Sequence, residues 1–256
     1  MRAVNLLVAL LGICVAGGPL AGQWRDGDSD YSKYNVEYDG RFTFVRVRYE
    51  PAPDWSSRGG SWRDGDRKWD HDYARAERHL VRILSELTAI DPNTSGSNIL
   101  TVGDPELFKY PVAYLVEPGF WTLNEEEAAS LRSYLLKGGF LILDDFVDRQ
   151  WFNFDERIHD VLPEARLVRL DVSHPIFHSF FEIDALDQRH PYWGQQAEYY
   201  GIFEDNDPDK RLMVIVNFNN DIGESWEWSD TGFIPIEISN ESYKLGVNYI
   251  VYGMTH

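Results

Sequence analysis

Two adjacent carboxylates close the run Phe140-Leu-Ile-Leu-Asp-Asp-Phe146. A short apolar run reads as a buried strand, and groups at the carboxyl end of a strand in an α/β sheet face the usual ligand crevice. Asp144 and Asp145 could there act as a general acid/base pair or form part of a cation site. Desolvated neighbouring carboxylates raise one another's pKa. The same pair could instead cap the next helix and meet Arg149.

Other chemistry-bearing residues fall in segments that follow apolar runs: Asp104, Glu117, Trp121, Trp151, Asn217, Asn219, Asp221, Glu224, Trp226 and Trp228. The loops at 50–70, 104–110, 117–124, 144–154 and 217–240 would meet on one sheet edge if the strands are parallel. Asp144 and Asp145 are the catalytic candidates, and Asp104, Glu117, Trp151, Asn217, Asn219, Asp221, Trp226 and Trp228 are the ligand-binding candidates. The tryptophans suit stacking on a sugar ring, although packing is the commoner fate of the side chain. Asp70-His71-Asp72 and His174-Pro-Ile-Phe-His178 match no metal motif, and Pro175 interrupts the helical face that His174 and His178 would need. No Gly-x-Ser-x-Gly elbow, P-loop or dinucleotide glycine motif is present, so neither a metal nor a cofactor is expected.

The elements that would position these residues follow from periodicity. Strands are expected over 41–49, 98–102, 112–116, 140–143, 166–170, 198–203 and 212–218, the sixth antiparallel or at an edge. Helices are expected over 72–90, 125–136, 155–162 and 242–252. Asn124 and Glu127 have capping-box spacing, and Gly138-Gly139 ends the helix before the central strand. Strands alternating with helices imply an α/β fold with a mostly parallel sheet and helices on both faces. The long segment 50–70 carries Trp55, Trp62 and Trp69, which argue for order there. Residues 219–230 read as a polar, Trp-bearing stretch.

The chain has 256 residues, 43% hydrophobic and 14% aromatic, enough for a substantial core in one domain over 41–256. A net charge of -18 argues against nucleic acid and against an anionic membrane surface as partners. Residues 1–22 read as a signal peptide, with Arg2, an apolar run to Ala16 and small residues to Gly22. That run is too short for a comfortable span, so no membrane span is expected after cleavage. Residues 23–40 read as a flexible lead-in. Cys14, the only cysteine, lies inside the signal segment, so the mature chain would have no thiol nucleophile, disulfide or cysteine ligand. Localisation is expected to be periplasmic or secreted, a lipoprotein being less favoured because Ile13 is large for the position before a lipobox cysteine.

Phe44-Val-Arg-Val-Arg-Tyr49, Tyr73-Ala-Arg-Ala-Glu-Arg-His79, Gly138-Gly-Phe-Leu-Ile-Leu-Asp-Asp-Phe146, His174-Pro-Ile-Phe177, Asp221-Ile-Gly-Glu-Ser-Trp-Glu-Trp228 and Leu245-Gly-Val-Asn-Tyr-Ile-Val-Tyr252 resemble the bacterial domain-of-unknown-function family 4159, over residues 41 to 256. The resemblance implies a class I glutamine amidotransferase-like, flavodoxin-like fold and no known activity. In that wider fold a nucleophile elbow follows the strand after a Gly-Gly turn, which falls here at Asp144 to Phe146. Aspartate in place of cysteine puts amidotransferase chemistry out of reach. Asn217-Phe218-Asn219 stands where relatives carry a His-containing stretch.

These readings lead to an exported module that binds a small ligand or an envelope partner at an acidic, Trp-rich cleft. The alternatives are an Asp-dependent hydrolase of a glycan or peptide and a purely structural component of an envelope complex.

Overall fold

The computed structural model describes residues 31–52 and 67–256. The expected signal peptide, Trp55 and Trp62 lie outside the described residues. Seven strands form one sheet: β1 (Val45–Arg48), β2 (Asn98–Thr101), β3 (Val112–Val116), β4 (Phe140–Phe146), β5 (Val168–Arg169), β6 (Glu198–Phe203) and β7 (Leu212–Phe218). Their spatial order is β2-β1-β3-β4-β7-β6-β5. The first five run parallel, and β6 is antiparallel to both its neighbours. The parallel strands, taken in sequence, lie in the order 2-1-3-4-5, which is the flavodoxin-like α/β arrangement.

Among the described residues five α-helices cover the two faces: α1 (Arg75–Leu87), α2 (Glu125–Leu136), α3 (Gln150–Val161), α4 (Ile222–Glu227) and α5 (Ile236–Thr255). Period-two alternation along the strands decides what each face receives. Ala113 and Leu115 of β3 and Leu141 and Leu143 of β4 pack with Leu131 of α2 and Phe154 and Ile158 of α3. Val112, Tyr114, Phe140 and Ile142 face the other way, onto Leu80 and Leu84 of α1, Trp226 of α4 and Leu245 of α5.

Several boundaries differ from the expectation. The first strand is restricted to Val45–Arg48, and α1 starts at Arg75 rather than at residue 72. The third helix opens at Gln150, so Trp151 lies in its first turn instead of a loop. The polar stretch 219–230 contains α4, and α5 extends beyond 242–252 in both directions. Residues 31–40 are tied down, in contrast to the flexible lead-in expected for 23–40. The Asn35 side chain exchanges hydrogen bonds with the Ile99 amide and carbonyl at 2.8 and 3.0 Å. It thereby supplies edge strand β2 with ladder partners, while Tyr31 stands edge-on to Trp69 at 4.9 Å.

Candidate functional site

The carboxyl ends of β1, β3, β4 and β7 lie along one edge because these are four consecutive parallel strands of the sheet. Asp145 is its centre. The pairing of β4 with β7 shifts register between Leu143 and Phe146, and Asp145 adopts φ 58. Glu117, just past β3, has φ 48, Asp72 before α1 has φ 62, Asp148 has φ 48 and Asn219 has φ 56. Left-handed backbone at a non-glycine residue costs about 1–3 kcal/mol and clusters at ligand sites. Five such residues at one sheet edge mark this region out.

Asp144 does different work from Asp145. It is fully buried on the Tyr114 face of the sheet. Its Oδ2 accepts the Tyr114 hydroxyl at 2.7 Å and the amides of Ile222 and Gly223, both at 3.1 Å. The carboxylate thus clasps the first turn of α4 to β4. Burial pushes its pKa up to about 6, with the Tyr114 hydroxyl and the two amides pulling it down. Gly223 allows this approach, since a Cβ there would lie 2.6 Å from Asp72 Oδ2 and 2.7 Å from the Tyr114 hydroxyl.

Around the partly exposed Asp145, burial pushes the carboxyl well above its usual range; the Glu117 carboxylate adds to the rise and His71 opposes it. Glu117 is buried and accepts an ion pair from His71 Nδ1 at 2.5 Å, with Lys68 Nζ at 3.4 Å. Asp221 caps α4 through the Glu224 amide at 2.8 Å. Burial raises its pKa first, followed by repulsion from Asp145, Asp72 and Asp144. Asp72 is also buried and raised, by desolvation and then by Asp145, and its Oδ2 has no hydrogen-bond partner. Glu224 and Glu227 are raised by burial too. Buried Arg46 pairs with Glu77 and donates to the carbonyls of Trp69 and His71 at 3.2 and 2.8 Å, holding in place the turn that carries His71 and Asp72.

His190 reaches the site from the coil before β6. It is 4% exposed, and burial lowers its pKa to about 4, opposed by Asp148. Tyr192, Trp193 and Phe233 form an exposed aromatic rim. The Tyr192 hydroxyl donates to Glu224, and its ring lies 6.4 Å from Phe233. The geometry can seat a cationic or polyhydroxylated group over Asp145, against aromatic faces.

The structure brings together Asp144, Asp145, Glu117 and Asp221 from the sequence expectation, with Asn219 and Trp228 close by. Asn219 Oδ1 accepts the Asp148 amide at 3.3 Å, and Trp228 hydrogen-bonds Glu224. Four expected residues have other roles. Asp104 follows β2 at the outer end of the sheet, beyond β1 and β3, and caps the turn Pro105–Lys109 through the Glu106 amide at 2.8 Å. Trp226 is fully buried between α4 and α5, its Nε1 donating to the Ser242 carbonyl at 2.9 Å. Asn217 is fully buried and joins the Leu143 carbonyl to the Tyr249 hydroxyl. Trp151 packs among Phe146, Phe154, Tyr200 and Phe218. Trp121 is likewise core. His71, Asp72, His190, Tyr192 and Trp193 were not among the expected residues. Asp70-His71-Asp72 carried a signal, since it immediately precedes α1 in the β1–α1 connection. His190 carried none.

The fold and this edge define a flavodoxin-like α/β protein with an acidic, histidine-bearing cluster of side chains at the carboxyl ends of its parallel strands. Residues 43–254 match the family model described as Domain of unknown function (DUF4159), and the chain belongs to that family. A search of curated proteins gives no match.

Proposed function

We propose that the chain is an exported ligand-binding module, acting in the periplasm or outside the cell, whose site is the pocket around Asp145. The ligand would be a small molecule, or a segment of an envelope partner, that carries an amine or an array of hydroxyls. One observation carries this reading: acids from the turns after β3 and β7 and before α1 converge on Asp145 at the end of β4, and the exposed Tyr192 and Trp193 stand against His190, with Tyr192 bound to Glu224. Clustered carboxylates favour a positive or hydrogen-bond-donating group, and aromatic faces cover its apolar side. Glutamine amidotransferase chemistry is not part of the proposal, because Asp144 and Asp145 occupy the end of β4 and Cys14 is the only thiol in the sequence. Export rests on the charged, apolar and small-residue order of residues 1–22.

Calorimetric titration with amino sugars, sugar oligomers and short cationic peptides tests the reading. Saturable binding of at least one class is expected, weakened tenfold or more by Asp145→Asn, with the variant's melting temperature close to wild type. Equal binding by the variant would remove Asp145 from the site. A second reading, an acid/base hydrolase, draws on the partly exposed, upward-shifted Asp145 carboxyl. Turnover of the bound compound, lost in the same variant, would select it.

A further inference from the structure

Three groups of side chains in the pocket could hold a metal ion, each presenting ligand atoms within 4.8 Å of one another: His71, Glu117 and Asp145; Asp145, His190 and Asp221; and Asp72, Glu224 and Glu227. They are not equivalent. In the first, Glu117 is already paired with His71 and Lys68. The third is carboxylate only, and the Arg75 and Arg46 guanidiniums act on its Glu227. The second has no cation among its members other than what His190 could become, and it mixes imidazole with carboxylate.

We infer that Asp145, His190 and Asp221 form a binding site for a divalent transition-metal ion, a departure from the sequence expectation of no metal. Mixed nitrogen and oxygen donors suit zinc and its neighbours better than calcium or magnesium, which prefer all-oxygen shells. Two ligands bound to one zinc ion lie no more than about 4.2 Å apart, given metal–ligand distances of about 2.1 Å. A spread of at most 4.8 Å therefore needs only small side-chain rotations to close around the ion.

An independent observation points the same way. His190 is a nearly fully buried side chain whose only side-chain hydrogen bond is a long one, 3.3 Å from the Tyr192 amide to Nδ1. Among the described residues no hydrogen bond reaches Nε2. Nδ1 accepts in this geometry, so Nε2 carries the ring proton; an ion would displace either this long contact at Nδ1 or the proton on Nε2, and the two carboxylates grouped with His190 would bind it as well. The buried, unpartnered Oδ2 of Asp72 in the same pocket adds to the unmet demand for positive charge. Asp221 is fixed by its cap to Glu224, and His190 by its burial, so two of the three ligands are preorganised. Asp145 is the partly exposed one. An ion held by three protein ligands keeps a position for an oxygen of the bound molecule, as open sites do. The inference rests on the reading of this pocket as the ligand site, and it makes the ion the element that receives a hydroxyl or carboxylate.

The test uses untagged full-length chain stripped with a chelator. Zinc is titrated in competition with a chromophoric chelator, and the zinc-loaded protein is examined by X-ray absorption. One zinc per chain is expected, with one imidazole and otherwise oxygen neighbours. His190→Gln and Asp145→Asn should each weaken binding at least tenfold, while His178→Gln, on an exposed turn remote from the pocket, should not. Undiminished affinity in both site variants, a sulfur neighbour, or no binding above the chelator background would each overturn the inference. The absorption spectrum of wild type decides the point even if a variant fails to fold. The ligand panel is repeated in excess chelator. Ligand binding lost in chelator and restored by zinc supports the inference; ligand binding that survives in chelator, in a chain that binds no zinc, sinks the metal and leaves the reading of the site standing, and a chain that binds neither zinc nor any ligand, with or without chelator, sinks both.

Discussion

At the scale of single residues, two adjacent aspartates have separated into different jobs. The alternation of β4 sends Asp144 into the Tyr114 face, where three donors make it a structural clasp. The register shift then turns Asp145 out to the pocket. The pair was visible in the sequence, as were both alternatives for it, but the division was not, because it depends on a bulge and on a helix that begins 78 positions later. A half-buried histidine allows a sharper test. His174 Nδ1 accepts the Ile176 amide at 3.2 Å and so caps the turn Pro175–His178. Burial lowers its pKa, with Asp171 opposing. A lowered folded pKa means that the unfolded chain binds the proton first as pH falls. The stability His174 contributes is therefore present above about pH 6.5 and lost as pH drops below it. Asn at this position keeps a cap acceptor and cannot titrate. His174→Asn is expected to show a shallower loss of urea-unfolding stability between pH 7.5 and 5 than wild type. Parallel profiles for the two proteins would show that His174 stays neutral for no energetic reason.

At the scale of elements, length decided what could be read. α1 and α2 carry several turns of apolar spacing and a capping box, and both stand close to their expected places. α4 has six residues, too few for a periodic signal, and its tryptophans pointed instead to a loop with stacking rings. The usable sign was Asp221 three residues before Glu224, an acceptor at helix-cap spacing. Once α4 is present, Trp226 points into the core and not into the cleft, which removes one of the three expected tryptophans. The rim that replaces it comes from Tyr192 and Trp193, in a coil with no pattern to read. Because α4 delivers Asp221 and receives Asp144, its seating should be the sensitive step. Gly223→Ala would drive a Cβ into the Asp72 carboxylate and the Tyr114 hydroxyl. Overpacking of this kind costs about 1–3 kcal/mol. A loss of that size in chemical unfolding, together with weakened ligand or zinc binding, is the expected result. A fully stable variant with unchanged binding would mean that α4 is not held by this contact.

At the scale of the whole molecule, alternation gave the α/β class and the parallel sheet, and the convergence of post-strand turns followed for most of the expected residues. Strand order could not be read. Asp104 follows β2 and Asp145 lies at the carboxyl end of β4, yet β1 and β3 stand between those strands, so the two acids share an edge without sharing a site. The overall charge acts at the same scale. The sequence carries 42 acidic and 24 basic side chains, for a net charge of -18. Many of the ion pairs are exposed, such as Arg82 with Glu86 and Lys210 with Asp205, and pairs of that kind contribute little. Repulsion among the surplus acids opposes the compact state, and salt screens it over a length that shrinks from about 10 Å at 0.1 M to about 3 Å at 1 M. Screening of the surplus should therefore outweigh screening of the weak pairs. In chelator-treated protein at pH 7.5, raising sodium chloride from low to half-molar concentration is expected to raise the melting temperature by a few degrees. If the melting temperature instead falls, the exposed pairs outweigh the surplus charge, and the acidity of the chain is matched locally in spite of its sum.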